Sequence, residues 1–471
     1  TVCKKAVLHT VVYFRGGNGM MTGCSRGEIL RIAGTLIKFS LPLILSGILQ
    51  QLYNWADAFI VGNVEGELAL AAVGATATVV NFYVTAITGF TLGLAILAAQ
   101  AFGSGETAAL SRILSTFSVL LGGIIFFLAG VGIISTPSLL RLLHTTPDTI
   151  RLAGEYLRIV LIGLPFLAVY NVYSAVLRGI GDSKAPFSAV LLSSVVNVGL
   201  DILLVAVFHW GVAGAAIATV FSQVAMTIFL VLYSIKKYPV LRFRLCRKAI
   251  CAAAFFRGCH FGIPPMLQAS VSSMGSLVLQ NFMNGFGTQT VAAITTAYRV
   301  DSIVMVPILN LGSGISTLVA QDYGSGRTGH GKKTFFVGVA LMAAVSLTLT
   351  ALVIPTGGHL IALFGAGQEA VAIGDNFFRR IASFYLVYGL ATAVRSYLEG
   401  MGDVVYSSAA GIISLLCRIA ASYALAAVFS NMVIAYAEGF SWVVLLLLYV
   451  FRVLWKEHRE PAENKAGRRC G

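Results

Sequence analysis

The chain has 471 residues, of which 57% are hydrophobic and 11% are charged, and its formal net charge is +14. Soluble domains usually carry about 25% charged residues, so this composition excludes an ordinary soluble protein and requires lipid around much of the chain. The basic charges lie mostly between hydrophobic stretches. We therefore assign them to membrane orientation and contact with anionic lipid headgroups, and we expect no nucleic-acid partner.

Residues 1–35 form a weakly apolar segment with a basic start, which we interpret as a cytoplasmic tail. Translation of the natural protein is expected to start at Met20 or Met21. Beyond this tail, a membrane-spanning helix needs about 20 mostly apolar residues, and such stretches recur along the chain. They are too long for the strands of a membrane β-barrel and lack the alternation of such strands, so we predict an all-α membrane protein. The twelve predicted spans are 39–61, 70–98, 113–135, 152–176, 186–208, 212–234, 260–282, 291–319, 334–355, 373–396, 406–429 and 432–453.

The basic residues predict the orientation of these spans. With twelve spans, the tail, the segment 235–258, the turn near 327–333 and the C-terminal segment all fall on one side of the membrane. That side is cytoplasmic by the positive-inside rule. We predict a multi-pass protein of the inner membrane with both termini in the cytoplasm. Its predicted parts are the tail 1–35, a first lobe 36–234, a basic linker 235–258, a second lobe 259–453 and a tail 454–471.

The two halves repeat at a constant offset of 221 residues. Gln-Ala-Phe-Gly-Ser-Gly (100–105) returns as Gln-Asp-Tyr-Gly-Ser-Gly (321–326), and Leu-Arg-Gly-Ile-Gly-Asp (177–182) returns as Leu-Glu-Gly-Met-Gly-Asp (398–403). Each half holds six spans, an even number, so both halves enter the membrane in the same direction. The sequence therefore predicts two six-helix lobes related by a pseudo-two-fold axis along the membrane normal. In such folds the substrate lies between or within the lobes.

Ionisable residues inside the predicted spans are candidates for function, because each costs at least about 2.5–3.5 kcal/mol at the centre of a membrane helix. Asp57 lies toward the outer end of the first span. Asn197 and Asp201 lie four residues apart on the fifth span and therefore share a face, and Thr219 lies in the sixth span. Their oxygen atoms suit a proton or a hard cation such as Na⁺, and two neighbouring carboxyl groups share a proton readily. Interhelical hydrogen bonding is the structural alternative for each of them.

The repeat favours function over scaffold for this group. At the offset of 221, Asp201 corresponds to Ser422, Asn197 corresponds to Arg418, and Asp57 has no acidic counterpart. The second lobe has its own charged candidates in Arg299, Asp301 and Glu438, for which paired structural bridges are an equal alternative. Glu438 is also a candidate contact for a cationic substrate.

An ordered set of motifs resembles the multidrug and toxic compound extrusion (MATE) family, closest to the prokaryotic branch that includes the DNA-damage-inducible F type. The set comprises Phe-Ser-Leu-Pro-Leu (39–43), Asn-Trp-Ala-Asp-Ala-Phe-Ile-Val-Gly (54–62), the two repeated motifs above and Ala-Tyr-Arg-Val-Asp (297–301). The resemblance covers about residues 36–453 and implies a V-shaped pair of six-helix lobes.

This resemblance also implies roles for residues. Asp57, Asn197, Asp201 and Thr219 match the amino-lobe cation site of the family, and Asn171 and Tyr156 match positions in a nearby polar network. Pro42 matches the proline at which the first helix bends. A proline in the first turn of its helix is the alternative for this residue.

We therefore expect a secondary active efflux antiporter rather than an enzyme. It exchanges H⁺ or Na⁺ for small organic, lipophilic and cationic compounds by alternating access, needs no cofactor and acts as a monomer among membrane lipids. The residues leave the choice between H⁺ and Na⁺ open. The alternative function is a flippase for a lipid-linked oligosaccharide, although the acidic first lobe and twelve spans argue against it.

Overall fold

A computed structural model describes residues 26–143, 145–241, 252–362 and 367–467. The predicted start at Met20 or Met21 and part of the predicted linker lie outside these ranges. The helices are α1 (Arg26–Val64), α2 (Glu67–Gly103), α3 (Thr107–Leu142), α4 (Pro147–Gly179), α5 (Lys184–Asp201), α6 (Gly211–Lys237), α7 (Ala252–Asn284), α8 (Thr288–Val304), α9 (Val306–Gly324), α10 (Thr328–Ala362), α11 (Gln368–Ile381), α12 (Tyr385–Gly400), α13 (Val404–Phe429) and α14 (Val433–Gly467).

These helices form twelve spans, which confirms the predicted all-α membrane fold. Helices α8 and α9 make one span interrupted at Met305, and a 3-10 turn at Ala382–Phe384 joins α11 to α12. Nine continuous helical stretches in the described ranges are long and apolar enough to cross a membrane by themselves, and the last of them contains both α13 and α14. The two remaining spans, α7 and α11–α12, carry more polar residues, which lowers their mean hydropathy, and α7 also contains two prolines.

The first helix of each half contributes to both lobes. Ile32 and Leu36, near the start of α1, belong to the apolar core of the second lobe, whereas Val61 near its end packs with Tyr156 in the first lobe. Helix α7 does the reverse, because Phe261 packs in the core of the first lobe and Met283 in that of the second. Each of these two helices therefore begins in the opposite lobe and ends in its own lobe.

Both of these helices, which pass from one lobe to the other and which we call the crossover helices, contain prolines. Pro42 is well inside α1, so the first-turn alternative is excluded, and Pro264 and Pro265 lie inside α7. A proline in a helix interior lacks the N–H that would bond to the carbonyl four residues earlier, which weakens the helix at that point. Both crossover helices thus have a weakened turn between the segments that join different lobes.

The lobes contact each other through the repeated Gln-x-x-Gly segments, near the ends of α2 and α9. Gln100 Nε2 donates to the Gly400 carbonyl (3.0 Å), and Gln321 Nε2 donates to the Gly179 carbonyl (2.7 Å). A Cβ atom on Gly103 would lie 2.0 Å from the Gln321 carbonyl oxygen, and one on Gly324 would lie 2.1 Å from that of Gln100. All four contacts obey the offset of 221, so the repeat forms a symmetric junction, which we call the glycine junction.

Two aspartates at this same end form ion pairs with the last helix of each lobe. Asp182 Oδ1 accepts from the Ala185 backbone N–H (3.1 Å), as expected for a helix cap, and its Oδ2 accepts from Lys237 Nζ (3.0 Å). Asp403, at the equivalent position, pairs with Arg452 (2.7 Å) and Lys456 (2.9 Å). Both repeated Gly-x-Gly-Asp turns therefore bind basic side chains of the last helix of their lobe, and Asp182 also caps the start of α5.

Candidate cation site in the first lobe

Two carboxyl groups lie side by side inside the first lobe. Asp57, on α1, and Asp201, the last residue of α5, are close enough for a side-chain hydrogen bond between them. Asp201 is fully buried. Among the described residues, no donor reaches either oxygen of Asp201 or Oδ1 of Asp57. Two such groups cannot both remain charged in an apolar interior without a compensating proton or cation.

Asn197 adds an amide oxygen to the same region. It lies one turn before Asp201 on α5, so the two side chains share a face of the helix. Asn197 is buried, and its Oδ1 also has no partner within the described part of the chain. The site thus offers buried, unpartnered oxygen atoms from Asp57, Asn197 and Asp201. Oxygen ligands of this type suit hard cations such as Na⁺, as well as H⁺.

The backbone changes its winding directly after Asp201. Residues Ile202–Val207 form a π-helical turn, which is rare and occurs frequently at functional sites. The extra residue in such a turn rotates the side chains that follow it. Val205, within the turn, is fully buried against Val212 and Tyr156 in an apolar cluster that borders the carboxyl groups.

Two tyrosines stand beside the acidic pair. Tyr156, on α4, is buried and interacts electrostatically with both Asp57 and Asp201, and Tyr53, one turn before Asp57 on α1, interacts with Asp57 and Tyr156. The resemblance pointed to Tyr156. The sequence analysis did not assign Tyr53 to the cation site, although its spacing of four residues from Asp57 places both on one helix face.

Within the described ranges, no side-chain hydrogen bond joins Thr219 or Asn171, the remaining first-lobe candidates, to the carboxyl groups. Thr219 is half-buried on α6, and no side-chain hydrogen bond of this residue is seen in the described ranges. Asn171 Nδ2 donates to the Leu167 carbonyl of its own helix (2.8 Å). These two positions therefore stay predictions that rest on the family resemblance.

Two charged candidates of the second lobe, Asp301 and Glu438, have close partners, unlike the carboxyl groups of the first lobe. Tyr385 donates to Asp301 Oδ1 (2.5 Å), and Glu438 Oε2 forms an ion pair with Arg418 (2.8 Å). Arg299 is exposed on α8 and does not join this group. Sequence reasoning could not identify Tyr385, because a tyrosine in an apolar span carries no signal of its partner.

The acidic pair differs from a conventional metal site. The described residues contain no group of three or more His, Cys, Asp and Glu side chains that could hold a metal ion. Cys259 and Cys417 are half-buried free thiols.

Comparisons with known proteins agree with this architecture. The family model described as MatE matches residues 42–203 and 264–424, which together make up more than half of the chain. Relatives include the probable multidrug resistance proteins YpnP and YoeA of Bacillus subtilis. YpnP is 29% identical over 83% of this chain and 86% of its own length, and YoeA is 27% identical over 89% of this chain and 93% of its own. The multidrug export protein MepA of Staphylococcus aureus is 23% identical over 78% of this chain and 81% of its own length.

Solved structures share the fold. A crystal structure of a MATE protein in complex with MaL6 has a TM-score of 0.83 and 22% identity, with 94% of this chain and 100% of that chain covered. The outward-facing structure of a multidrug resistance MATE family transporter has a TM-score of 0.81 and 21% identity, with 94% and 99% covered.

Proposed function

Since the chain belongs to the MatE family, we propose that it is a secondary active multidrug efflux antiporter that exchanges H⁺ or Na⁺ for organic, lipophilic and cationic compounds. The observation that carries this proposal is the pair of adjacent carboxyl groups of Asp57 and Asp201. Within the described ranges, both oxygens of Asp201 and Oδ1 of Asp57 are buried without a hydrogen-bond donor. Relatives named as multidrug resistance and export proteins support the efflux direction.

Coupling follows from the electrostatics of that pair. With both carboxyl groups ionised, the region holds two adjacent negative charges, and each costs at least about 2.5–3.5 kcal/mol within a membrane span. Binding of one H⁺ or Na⁺ neutralises one of these two charges, which lowers the penalty, relieves the repulsion and draws α1 and α5 together at Asp57 and Asp201. Release of the ion reverses the effect, so the bound ion biases the conformation of the first lobe.

The crossover helices provide the route by which this bias reaches the second lobe. Asp57 lies beyond Pro42 on α1, and the segment before Pro42 packs in the core of the second lobe. A change of bend at Pro42 would therefore move one lobe relative to the other about the glycine junction. We place this junction on the cytoplasmic side of the inner membrane, because it lies at the same end as the basic linker and the start of α1. The unit is proposed to act as a monomer in contact with anionic lipids.

Transport in proteoliposomes tests this function. An imposed pH or Na⁺ gradient should drive uptake of ethidium into vesicles with the wild-type protein in the appropriate orientation. The double variant Asp57→Asn, Asp201→Asn should reduce the gradient-driven rate by about tenfold or more, because it removes both ionisable groups.

The matched control is Asp375→Asn, which neutralises a carboxylate on α11 that pairs locally with Arg379 (2.8 Å). This control should transport at nearly the wild-type rate. Full gradient-driven transport by the double variant would contradict the proposed coupling site, and separate pH and Na⁺ gradients would identify the coupling ion.

A further inference from the structure

The second lobe contains a cavity that the proposed coupling mechanism does not use. Its volume is about 320 Å³, and it lies between α7, α8, α13 and α14. One wall is polar and includes Tyr298, Arg418 and Glu438, whereas the other is apolar and includes Phe282 and Ile434. Ligand pockets for small organic molecules begin at about 300 Å³ and combine an apolar lining with a few polar groups. The cavity therefore has the size and lining of a small-molecule site.

The polar wall is held by a triangle of hydrogen bonds. An Arg418 guanidinium nitrogen lies 2.8 Å from Glu438 Oε2 and 2.8 Å from the Tyr298 hydroxyl, and this hydroxyl donates to the same Glu438 oxygen (3.2 Å). Both contacts to Glu438 involve Oε2, and the described residues provide no further donor to Oε1. Glu438 thus keeps one oxygen for another donor.

Arg418 has a second carboxyl group within electrostatic range. Asp301 is close to both Arg418 and Glu438, and its Oδ1 accepts from Tyr385 (2.5 Å). With all three groups ionised, the cluster of Asp301, Arg418 and Glu438 carries one net negative charge. Arg418 can therefore leave Glu438 without becoming an unpaired buried cation, which would be strongly unfavourable.

The repeat shows that this arrangement is specific to the second lobe. Arg418 occupies the position of Asn197, and Ser422 occupies that of Asp201. The first lobe has oxygen atoms at these positions, which can bind an incoming ion. The second lobe has instead a cationic side chain of its own, Arg418. The side chains of Arg418 and Glu438 are 19% and 10% exposed, so a ligand in the cavity can reach both.

We propose that this cavity is a binding site for a monovalent organic cation, and that Arg418 is a tethered counter-ion which occupies Glu438 until the ligand replaces it. The ligand's cationic group binds Glu438, its flat apolar body packs against Tyr298 and Phe282, and Arg418 moves toward Asp301. An aromatic face near the cation adds to the binding. This inference rests on the proposed function, because it places the exported substrate in the second lobe.

Ethidium binding to the purified full-length protein in detergent tests the inference. Glu438→Gln should weaken ethidium binding by about tenfold, because the acceptor for the cation is lost. Arg418→Gln should strengthen it about fivefold, because the tethered competitor is lost, whereas Arg418→Lys should stay near the wild type. The matched control, Arg452→Gln, removes an arginine that pairs with Asp403 far from the cavity and should leave ethidium binding unchanged.

A reversal of charge preference separates binding from a purely structural role. The double variant Asp301→Asn, Glu438→Gln leaves Arg418 without either nearby carboxylate, so this variant should gain affinity for the anionic dye fluorescein, whereas the wild type should bind it weakly. If Arg418→Gln does not fold, the double variant Arg418→Gln, Glu438→Gln replaces it and should bind neither dye tightly.

Several outcomes would overturn the inference. Ethidium affinities within twofold of the wild type for Glu438→Gln and Arg418→Gln would make the ion pair structural only. Weaker ethidium binding by Arg418→Gln, or no gain of fluorescein binding by Asp301→Asn, Glu438→Gln, would have the same meaning. If coupled efflux still depends on Asp57 and Asp201 in that case, the proposed function stands and only the second-lobe site fails. If the wild type neither binds nor transports ethidium or tetraphenylphosphonium, both proposals fail.

Discussion

The glycine junction gives the sharpest prediction about how the lobes move. In the structure, Gly103 touches the Gln321 backbone so closely that an added Cβ atom would lie 2.0 Å from the carbonyl oxygen. Ordinary contact begins at about 3.4 Å, so the Gly103→Ala variant requires a separation of about 1.4 Å. Because the contacting atoms belong to backbone rather than to flexible side chains, the lobes themselves must separate at this end.

The size of the effect follows from the cost of overpacking. Forcing an extra methyl group into a packed contact costs about 1–3 kcal/mol. If the cost applies only to the conformation in which the junction is closed, it shifts the equilibrium toward an open junction by about 5- to 150-fold. Gly324→Ala should have the same effect, because it is related to Gly103 by the repeat and meets the Gln100 carbonyl at 2.1 Å.

Distances between spin labels measure this shift. Lys184 and Val405 are exposed and are related by the offset of 221. Lys184 is the first residue of α5 and Val405 is the second residue of α13, so both lie just after the Gly-x-Gly-Asp turns. Labels at these positions, after replacement of the seven native cysteines, report the opening of this end. Gly103→Ala should move the distance distribution to longer values, with a smaller loss of thermal stability than overpacking of a rigid core would produce.

A matched control comes from α3, where Gly123 and Gly130 have no neighbouring atom within 4 Å of an added Cβ. Alanine at either position should leave the distance distribution unchanged. If Gly103→Ala lowers the melting temperature without changing the label distances, the junction is a static packing contact and the reasoning about movement is refuted.

Three further predictions concern single groups. Pro42→Ala should restore a backbone hydrogen bond in α1, which should raise thermal stability and slow gradient-driven ethidium transport in proteoliposomes; unchanged transport would argue against bending at this residue. Tyr385→Phe should lower the free energy of unfolding by about 1–3 kcal/mol, because Asp301 loses its donor, whereas Tyr423→Phe on an exposed side chain should have little effect in the same denaturation assay. The third prediction concerns the pKa of Asp182. Burial alone would raise this pKa, but several hydrogen bonds to the carboxylate outweigh burial and hold the pKa below its usual value of 3.8. The donors are Tyr238, Lys237, the Ala185 backbone and Tyr233. The stabilisation by Asp182 should therefore be complete above about pH 4 and be lost as the pH falls through the lowered pKa, so that melting curves of the wild type and Asp182→Asn converge in acid.

The family of the chain and its span architecture could be predicted from sequence because both depend on local properties. A membrane span requires a continuous apolar run, and the repeat at 221 residues is visible residue by residue. The cost of burying a carboxyl group also identified Asp57 and Asp201 as unusual without any knowledge of their surroundings. The same reasoning identified Asp301 and Glu438, but it could not separate partnered from unpartnered groups.

What only the tertiary structure decided is which helix faces meet. Hydropathy does not specify the rotation of a helix about its axis, so the adjacency of Asp57 and Asp201, the outward direction of Arg299 and the bond from Tyr385 to Asp301 required the packed bundle. The exchange of half-helices between lobes at α1 and α7 was equally hidden, because an apolar segment packs equally well against either core. The physical reason is that apolar burial is non-directional, whereas the pairing of polar groups depends on position in three dimensions.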